Sequence, residues 1–156
     1  MCYMKITINS IEDTERLAQT IATLVTRGDV LLLHGDLGAG KTTFSQFFGK
    51  ALGIEQKITS PTFNIIKSYE GKLPFHHMDC YRLEGAEDDL GFDEYFYGDG
   101  VTIVEWPEVI EDFLPEDYIE LNLKYIEDAK REIEIQAMGS RGNRLKEQII
   151  DEVTAY

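Results

Sequence analysis

Val30-Leu31-Leu32-Leu33, followed by Gly35-Asp36-Leu37-Gly38-Ala39-Gly40-Lys41-Thr42, is the stretch that decides how this chain folds. The second part satisfies G-x-x-x-x-G-K-[ST], the phosphate-binding P-loop. The apolar run before it reads as a buried strand. Residues 43–52 after it read as a helix with Phe44, Phe47, Phe48, Ala51 and Leu52 on one side. Strand, glycine loop and helix are the context in which the motif works. Glycines let backbone N–H groups turn inward around phosphate oxygens, and the helix N-terminus adds partial positive charge. In such a loop Lys41 reaches the β- and γ-phosphates and the Thr42 hydroxyl ligates Mg²⁺.

Working outward, residues 5–8 read as a short first strand. Ser10 reads as the N-cap of a helix that lines up Thr14, Leu17, Ala18, Ile21, Leu24 and Val25, with Gly28 ending it. After the P-loop helix, Gly53 is a stop and residues 59–62 form a polar loop around Pro61. Residues 63–69 and 73–81, separated by Glu70-Gly71-Lys72, read as a hairpin or a neighbouring strand pair. The acidic stretch 84–100 carries helical turns near 86–90 and 93–96. Residues 101–104 are another buried strand, and Pro107 opens a helix running to Leu114. Residues 118–125 and 132–137 alternate as a second hairpin. Ser140 begins a polar break before a charged helix at about 143–153.

This pattern implies one α/β domain of the P-loop NTPase type, a mostly parallel central sheet flanked by helices. Residues 1–138 form the ATPase domain, and residues 139–156 form a polar, helical C-terminal extension. A chain of 156 residues with 43% apolar content suffices for one core. No apolar run approaches membrane-span length, and Met1-Cys2-Tyr3-Met4-Lys5 lacks the apolar core expected of a secretory signal. Two cysteines, Cys2 and Cys80, make no disulfide framework, so the expected location is a reducing cytoplasm. The net charge of −14 argues against holding DNA or RNA by the body of the protein. A surface that docks on a basic partner is compatible with it.

A P-loop hydrolase needs a carboxylate at the end of a buried strand to help hold Mg²⁺. Val101-Thr102-Ile103-Val104-Glu105 supplies one, and Glu105 is the first choice. Leu73-Pro74-Phe75-His76-His77-Met78-Asp79 supplies the other, on what its proline and two histidines predict to be a poorer buried strand. Alternation puts Phe75, His77, Asp79 and Tyr81 on one face and His76, Met78 and Cys80 on the other. His77 and Asp79 are thereby candidates to orient a water or join a metal shell. The loop Ser60-Pro61-Thr62 suits a switch that feels the γ-phosphate. No Asn-Lys-x-Asp motif is present, which disfavours guanine. Asp88-Asp89-Leu90-Gly91 matches D-x-x-G but lies in an acidic loop.

Four motifs in order carry a resemblance: residues 35–43, Ser60-Pro61-Thr62-Phe63, His77-Met78-Asp79-Cys80-Tyr81-Arg82 and Val104-Glu105-Trp106-Pro107. Together, across residues 5–137, they resemble the TsaE (YjeE) family, small bacterial ATPases required for threonylcarbamoylation of adenosine 37 in tRNAs that read codons beginning with A. The resemblance implies ATP or ADP with Mg²⁺ as ligand and the TsaD–TsaB heterodimer as partner. It implies hydrolysis of ATP to ADP and phosphate to reset that complex, and tRNA met only through it. It carries over Gly38, Ala39, Gly40, Lys41, Thr42 and Thr43 as the phosphate cradle. Thr42 and Glu105 carry over as Mg²⁺ ligands, Asp79 as a second essential acid, and Trp106 as a residue supporting activity. Thr14 in the N-terminal segment and Arg131 near the last strand are looser nucleotide contacts. Two other functions fit the same loop: a small-metabolite kinase, and a binding module that ATP merely switches.

Overall fold

Strand β2 (Val30–Gly35) is the axis of the structure, a computed structural model that describes residues 4–35, 40–59, 66–80, 91–128 and 130–154. Before it come β1 (Met4–Ile8) and α1 (Ile11–Leu24). Ser10 caps α1 as its sequence position predicts. Its Oγ accepts the Asp13 N–H at 3.2 Å, and Asp13 Oδ2 accepts the Asn9 N–H at 3.0 Å. This departs from a capping box, because the Asp13 carboxylate reaches past the cap to the N–H of the residue before it. Helix α2 (Lys41–Ala51) starts two residues earlier than its apolar pattern indicates. Strands β3 (Ile66–Tyr69) and β4 (Phe75–Asp79) form the expected antiparallel hairpin. The short α3 (Phe92–Phe96), strand β5 (Val101–Glu105) and a 3₁₀ segment (Pro107–Phe113) follow. The chain closes with hairpin β6 (Tyr118–Glu127) and β7 (Lys130–Met138), then α4 (Gly139–Thr154).

The seven strands form one sheet in the order β1-β7-β6-β2-β5-β4-β3. The four inner strands β6, β2, β5 and β4 are mutually parallel. β7 and β3 flank them antiparallel, and β1 pairs antiparallel with β7. The sheet is therefore mixed, with the parallel centre expected of a P-loop domain. Its C-terminal edge gathers the ends of four parallel strands, which is where ligands bind in such sheets.

Alternation along β2 divides the core in two. Leu31 and Leu33 join Phe44 and Phe48 of α2, Leu17 and Ile21 of α1, and Leu145 and Ile149 of α4 in one buried cluster. Val30 and Leu32 join Met78, Val104, Phe92, Phe96 and Ile110 in the other. Each fully buried aromatic or leucine side chain contributes about 1.5–3 kcal/mol. No helix among the described residues is long and apolar enough to cross a membrane.

Three expectations change. β4 is an inner strand with Phe75, His77 and Met78 buried, not a poorly buried one. Pro74 lies just before the strand and so removes no ladder donor, while its carbonyl accepts the Val101 N–H at 2.9 Å. The two histidines find polar partners: His76 Nδ1 meets Ser68 Oγ at 2.7 Å, and His77 meets a glutamate described below. The polar break at Ser140 is absent, because α4 begins directly at Gly139. That glycine's φ of +81° makes the junction from β7 without one. The helix that Pro107 opens is 3₁₀ and is not continuous, its backbone leaving helical angles at Ile110 with φ −117° and ψ 32°. The loop 60–62, Tyr81, Arg82 and the turn expected near 86–90 lie outside the described residues.

Candidate nucleotide site

The C-terminal edge of the parallel strands collects the residues that the sequence singled out. β2 ends at Gly35, and the chain re-enters the described region at Gly40 as the N-cap of α2. Gly40 has φ +104°, which a side chain would resist. Lys41 is the first helical residue. Thr42 is exposed there and Thr43 half-buried, both in the first turn of the helix. Gly38 and Ala39 lie outside the described residues.

The two acids end adjacent strands. Glu105 closes β5 and pairs in register with Leu33 of β2 on one side and Asp79 of β4 on the other. Their backbones thus lie about 4.8 Å apart, the spacing of neighbouring strands. Glu105 is 5% exposed, and Asp79 is half-buried. Glu105 Oε2 lies 2.6 Å from Nε2 of His77, which is wholly buried. The His77 ring is nearly parallel to that of Phe75, at 14° and 6.0 Å between centroids. The alternation of β4 made His77 a candidate for water or metal. The structure instead gives it to Glu105, a residue 28 positions away that no local pattern could couple to it.

Trp106 follows Glu105 with φ 57° and ψ 50°, in the left-handed region. That backbone costs a side-chain-bearing residue about 1–2 kcal/mol. The bend carries the chain into the 3₁₀ segment with Pro107 at its first turn, and it brings the indole beneath the P-loop lysine. Lys41 Nζ sits 4.7 Å from the Trp106 ring centroid. A hollow of about 290 Å³ opens here, lined by Leu33, His34, Gly35, Lys41, Trp106, Glu108 and the β6 residues Asn122, Leu123 and Lys124.

His34 is a site neighbour that the sequence did not flag. Its Nδ1 lies 3.5 Å from Glu108 Oε2 and its Nε2 3.2 Å from Glu120 Oε2. The imidazole thus lies between a carboxylate of the segment after Trp106 and one of β6. Hydrogen bonding to His34 is the main force holding the Glu120 carboxyl below its usual range, against the opposing pull of burial. Cys80, beyond Asp79, is wholly buried, and its thiol is pushed up to about 12 by that burial, with Asp79 and Glu108 adding to the shift.

Thr14 and Arg131 lie on the same edge of the sheet but further along it. Thr14 is half-buried in the first turns of α1, which follows the C-terminal end of β1. Arg131 pairs in register with both Ile8 and Tyr125, stacks 4.6 Å over the Tyr125 ring and donates to the carbonyls of Asp128 and Lys130. β7 is two strands from β2, so Arg131 stands roughly 10 Å along the edge from β2, and β1, which leads into the helix of Thr14, is one strand further.

The donors at the loop end are a hydroxyl (Thr42) and two carboxylates (Glu105, Asp79). Oxygen-only donors of this kind suit Mg²⁺, which is usually held by one or two carboxylates plus substrate phosphates. Among the described residues no three His, Cys, Asp or Glu side chains gather as a metal cage. The oxygen donors fit an ion shared with a nucleotide.

Comparison with known proteins gives a consistent answer. A family model described as "Threonylcarbamoyl adenosine biosynthesis protein TsaE" matches residues 8–133. The tRNA threonylcarbamoyladenosine biosynthesis protein TsaE of Bacillus subtilis (strain 168) is 48% identical over 139 residues, covering 88% of each chain. The protein of the same description from Treponema pallidum (strain Nichols) is 40% identical over 134 residues, or 85% of this chain and 99% of that one. The crystal structure of Bacillus subtilis YdiB superposes with a TM-score of 0.81 at 41% identity, covering 97% of this chain and 96% of that one.

Proposed function

The chain belongs to the TsaE family of threonylcarbamoyl adenosine biosynthesis proteins, and from that premise we propose that it is a P-loop ATPase serving the threonylcarbamoylation of adenosine 37 in tRNA. The observation that carries the reading is the convergence at one sheet edge. Lys41 opens α2, and Glu105 and Asp79 end the two strands beside β2. A cation at the start of a helix and paired acids at strand ends are the parts that MgATP hydrolysis requires.

In this reading Lys41 leaves the Trp106 ring and neutralises charge developing on the β- and γ-phosphates. The Thr42 hydroxyl and the Glu105 carboxylate hold Mg²⁺. When bound, that ion draws charge from the phosphate oxygens. Asp79, next to Glu105 in register, orients the attacking water. Backbone N–H groups of Gly38, Ala39, Gly40 and Thr43 cradle the phosphates. Trp106 packs beside them, and the ribose and base extend toward Thr14 and Arg131. The acidic body, at net charge −14, suits docking on a protein partner rather than on tRNA directly. The partner we propose is the TsaD–TsaB heterodimer, which the family resemblance implies.

The test is phosphate release from ATP by the purified chain, alone and with the TsaD–TsaB complex. Slow turnover alone and strong stimulation by the complex are expected. Equal rates would remove TsaD–TsaB as the regulator. Transfer of phosphate to a small acceptor instead of water would replace the ATPase reading with that of a kinase.

A further inference from the structure

We infer that His77 is a positioning residue that holds the Glu105 carboxylate in the orientation needed to meet Mg²⁺, an assignment that rests on the ATPase reading above. Three observations converge on it. The first is the bond itself, 2.6 Å from Nε2 to Glu105 Oε2 between two side chains enclosed in the sheet. The second is that the other ring nitrogen, Nδ1, is buried with no hydrogen-bond partner among the described residues. Nε2 is thus the bonding nitrogen of the ring, and because a carboxylate only accepts, the His77 Nε2–H donates and Glu105 accepts. The third is that the ring is fixed by packing, parallel to Phe75 and wholly buried, so the direction of its N–H is fixed too.

A donor of fixed direction selects one rotamer of the carboxylate. It occupies Oε2 and leaves Oε1 as the oxygen for a cation. Ligating carboxylates and imidazoles are commonly set this way by outer hydrogen bonds. The bond is not needed to join the strands, because β4 and β5 are already paired along Phe75–Asp79 and Val101–Glu105. An apolar pair at the same positions would fill a sheet interior without the cost of burying a carboxylate and an imidazole. Orientation of Glu105 is what the polar pair supplies that an apolar pair does not.

The test compares His77→Leu, His77→Gln and His77→Asn with the wild type and with Glu105→Gln. Two quantities are read. One is the Mg²⁺ concentration giving half-maximal ATP hydrolysis. The other is the rise in melting temperature given by ADP with Mg²⁺ beyond that given by ADP with EDTA. For His77→Leu the half-saturating Mg²⁺ should rise about tenfold and the Mg²⁺-dependent part of the melting shift should shrink, in line with losses seen when outer partners of metal ligands are removed. The shift given by ADP in EDTA should stay as in the wild type. Gln places an amide nitrogen where Nε2 stood and should restore Mg²⁺ dependence, whereas Asn is too short and should not. A folded His77→Leu protein with wild-type Mg²⁺ dependence overturns the assignment. If His77→Leu does not fold, equal Mg²⁺ dependence of the Gln and Asn variants overturns it instead. A normal Mg²⁺ requirement in Glu105→Gln would remove Glu105 from the ion and take both readings down. A raised requirement there, with none in the His77 variants, would overturn His77 alone.

Discussion

Lys41 stands on an aromatic face that it leaves if the proposed nucleotide binds. Its ammonium lies 4.7 Å over the indole of Trp106, the single tryptophan of the chain, and a contact of this kind contributes about 0.5–1 kcal/mol at a partly exposed site. Phosphate oxygens offer the same cation far more, so nucleotide arrival should draw Lys41 away and change the tryptophan emission. Lys41→Ala should lose at least about 10²-fold in kcat, since it removes charge stabilisation where charge develops. The same variant should no longer change emission when ADP is added. Wild-type kcat in Lys41→Ala would refute the P-loop reading. Cys80 makes the opposite case, of a suggestive residue with no chemistry. Buried, and with its thiol held near 12, it should resist a disulfide reagent at pH 8 in native protein and react only on unfolding. The measurement is thiol titration of a Cys2→Ser variant with and without denaturant. That Lys41 and Thr42 open a helix and that Asp79 and Glu105 end strands was legible in the sequence, because motif spacing and apolar runs mark those places. The bond between His77 and Glu105 was not, because hydropathy treats each as a polar residue and says nothing of a partner one strand over. His34 escaped for the same reason, since its contacts are residues 108 and 120.

Elements were read best where one face is apolar and worst where glycine or proline sits at a junction. α1 and the two hairpins followed their periodicity. Gly139-Ser140 looked like a break because the sequence cannot show that Gly139 turns at φ +81° straight into a helix. That helix lies hard against the start of β6. A Cβ on Gly142 would stand 2.4 Å from the Tyr118 carbonyl oxygen, a backbone atom that cannot swing aside. Gly142→Ala should therefore cost about 1–3 kcal/mol despite alanine's better helix propensity, as overpacking does. Thermal melting checks it, and a rise in Tm would contradict the packing described. α4 is further anchored by Arg141, whose Nε and Nη2 donate to the two carboxylate oxygens of buried Asp29 at 2.9 and 2.7 Å. The pairing of His34 with Glu120 has a pH signature. Glu120 titrates below its usual range in the folded state, so its ionised form adds stability above that range, and this is lost as pH falls through the folded value. Glu120→Gln should melt below the wild type at pH 7, and the gap should close as pH is lowered beneath the ordinary glutamate range. A gap that widens on acidification would contradict the sign.

At the scale of the whole molecule, 29 acidic against 15 basic residues leave a charge of −14 on one small domain. Like charges crowd on folding, and exposed pairs such as Lys5 with Glu132 and Glu134 offset little of that. Raising NaCl from about 20 to about 300 mM shortens the screening length below about 10 Å and should raise Tm. A fall in Tm would mean that attractive pairs dominate instead. The fold class was legible because the P-loop demands a strand before it and a helix after it. The mixed edges were not, since nothing local tells β7 to run against β6 and then accept β1.

The position of β2 also sets an order of events during synthesis. The strand that leads into the phosphate loop is complete by residue 35, yet both its neighbours, β5 and β6, come from residues 101–127. Until the ribosome has released that later part, β2 has no partner on either side, and Glu105 does not yet exist beside Leu33. The loop that would hold nucleotide is thus made early and finished late. A shortened chain ending before β6 carries the whole motif but leaves one flank of β2 without a partner strand, an apolar strand edge open to chaperones or to another copy of itself.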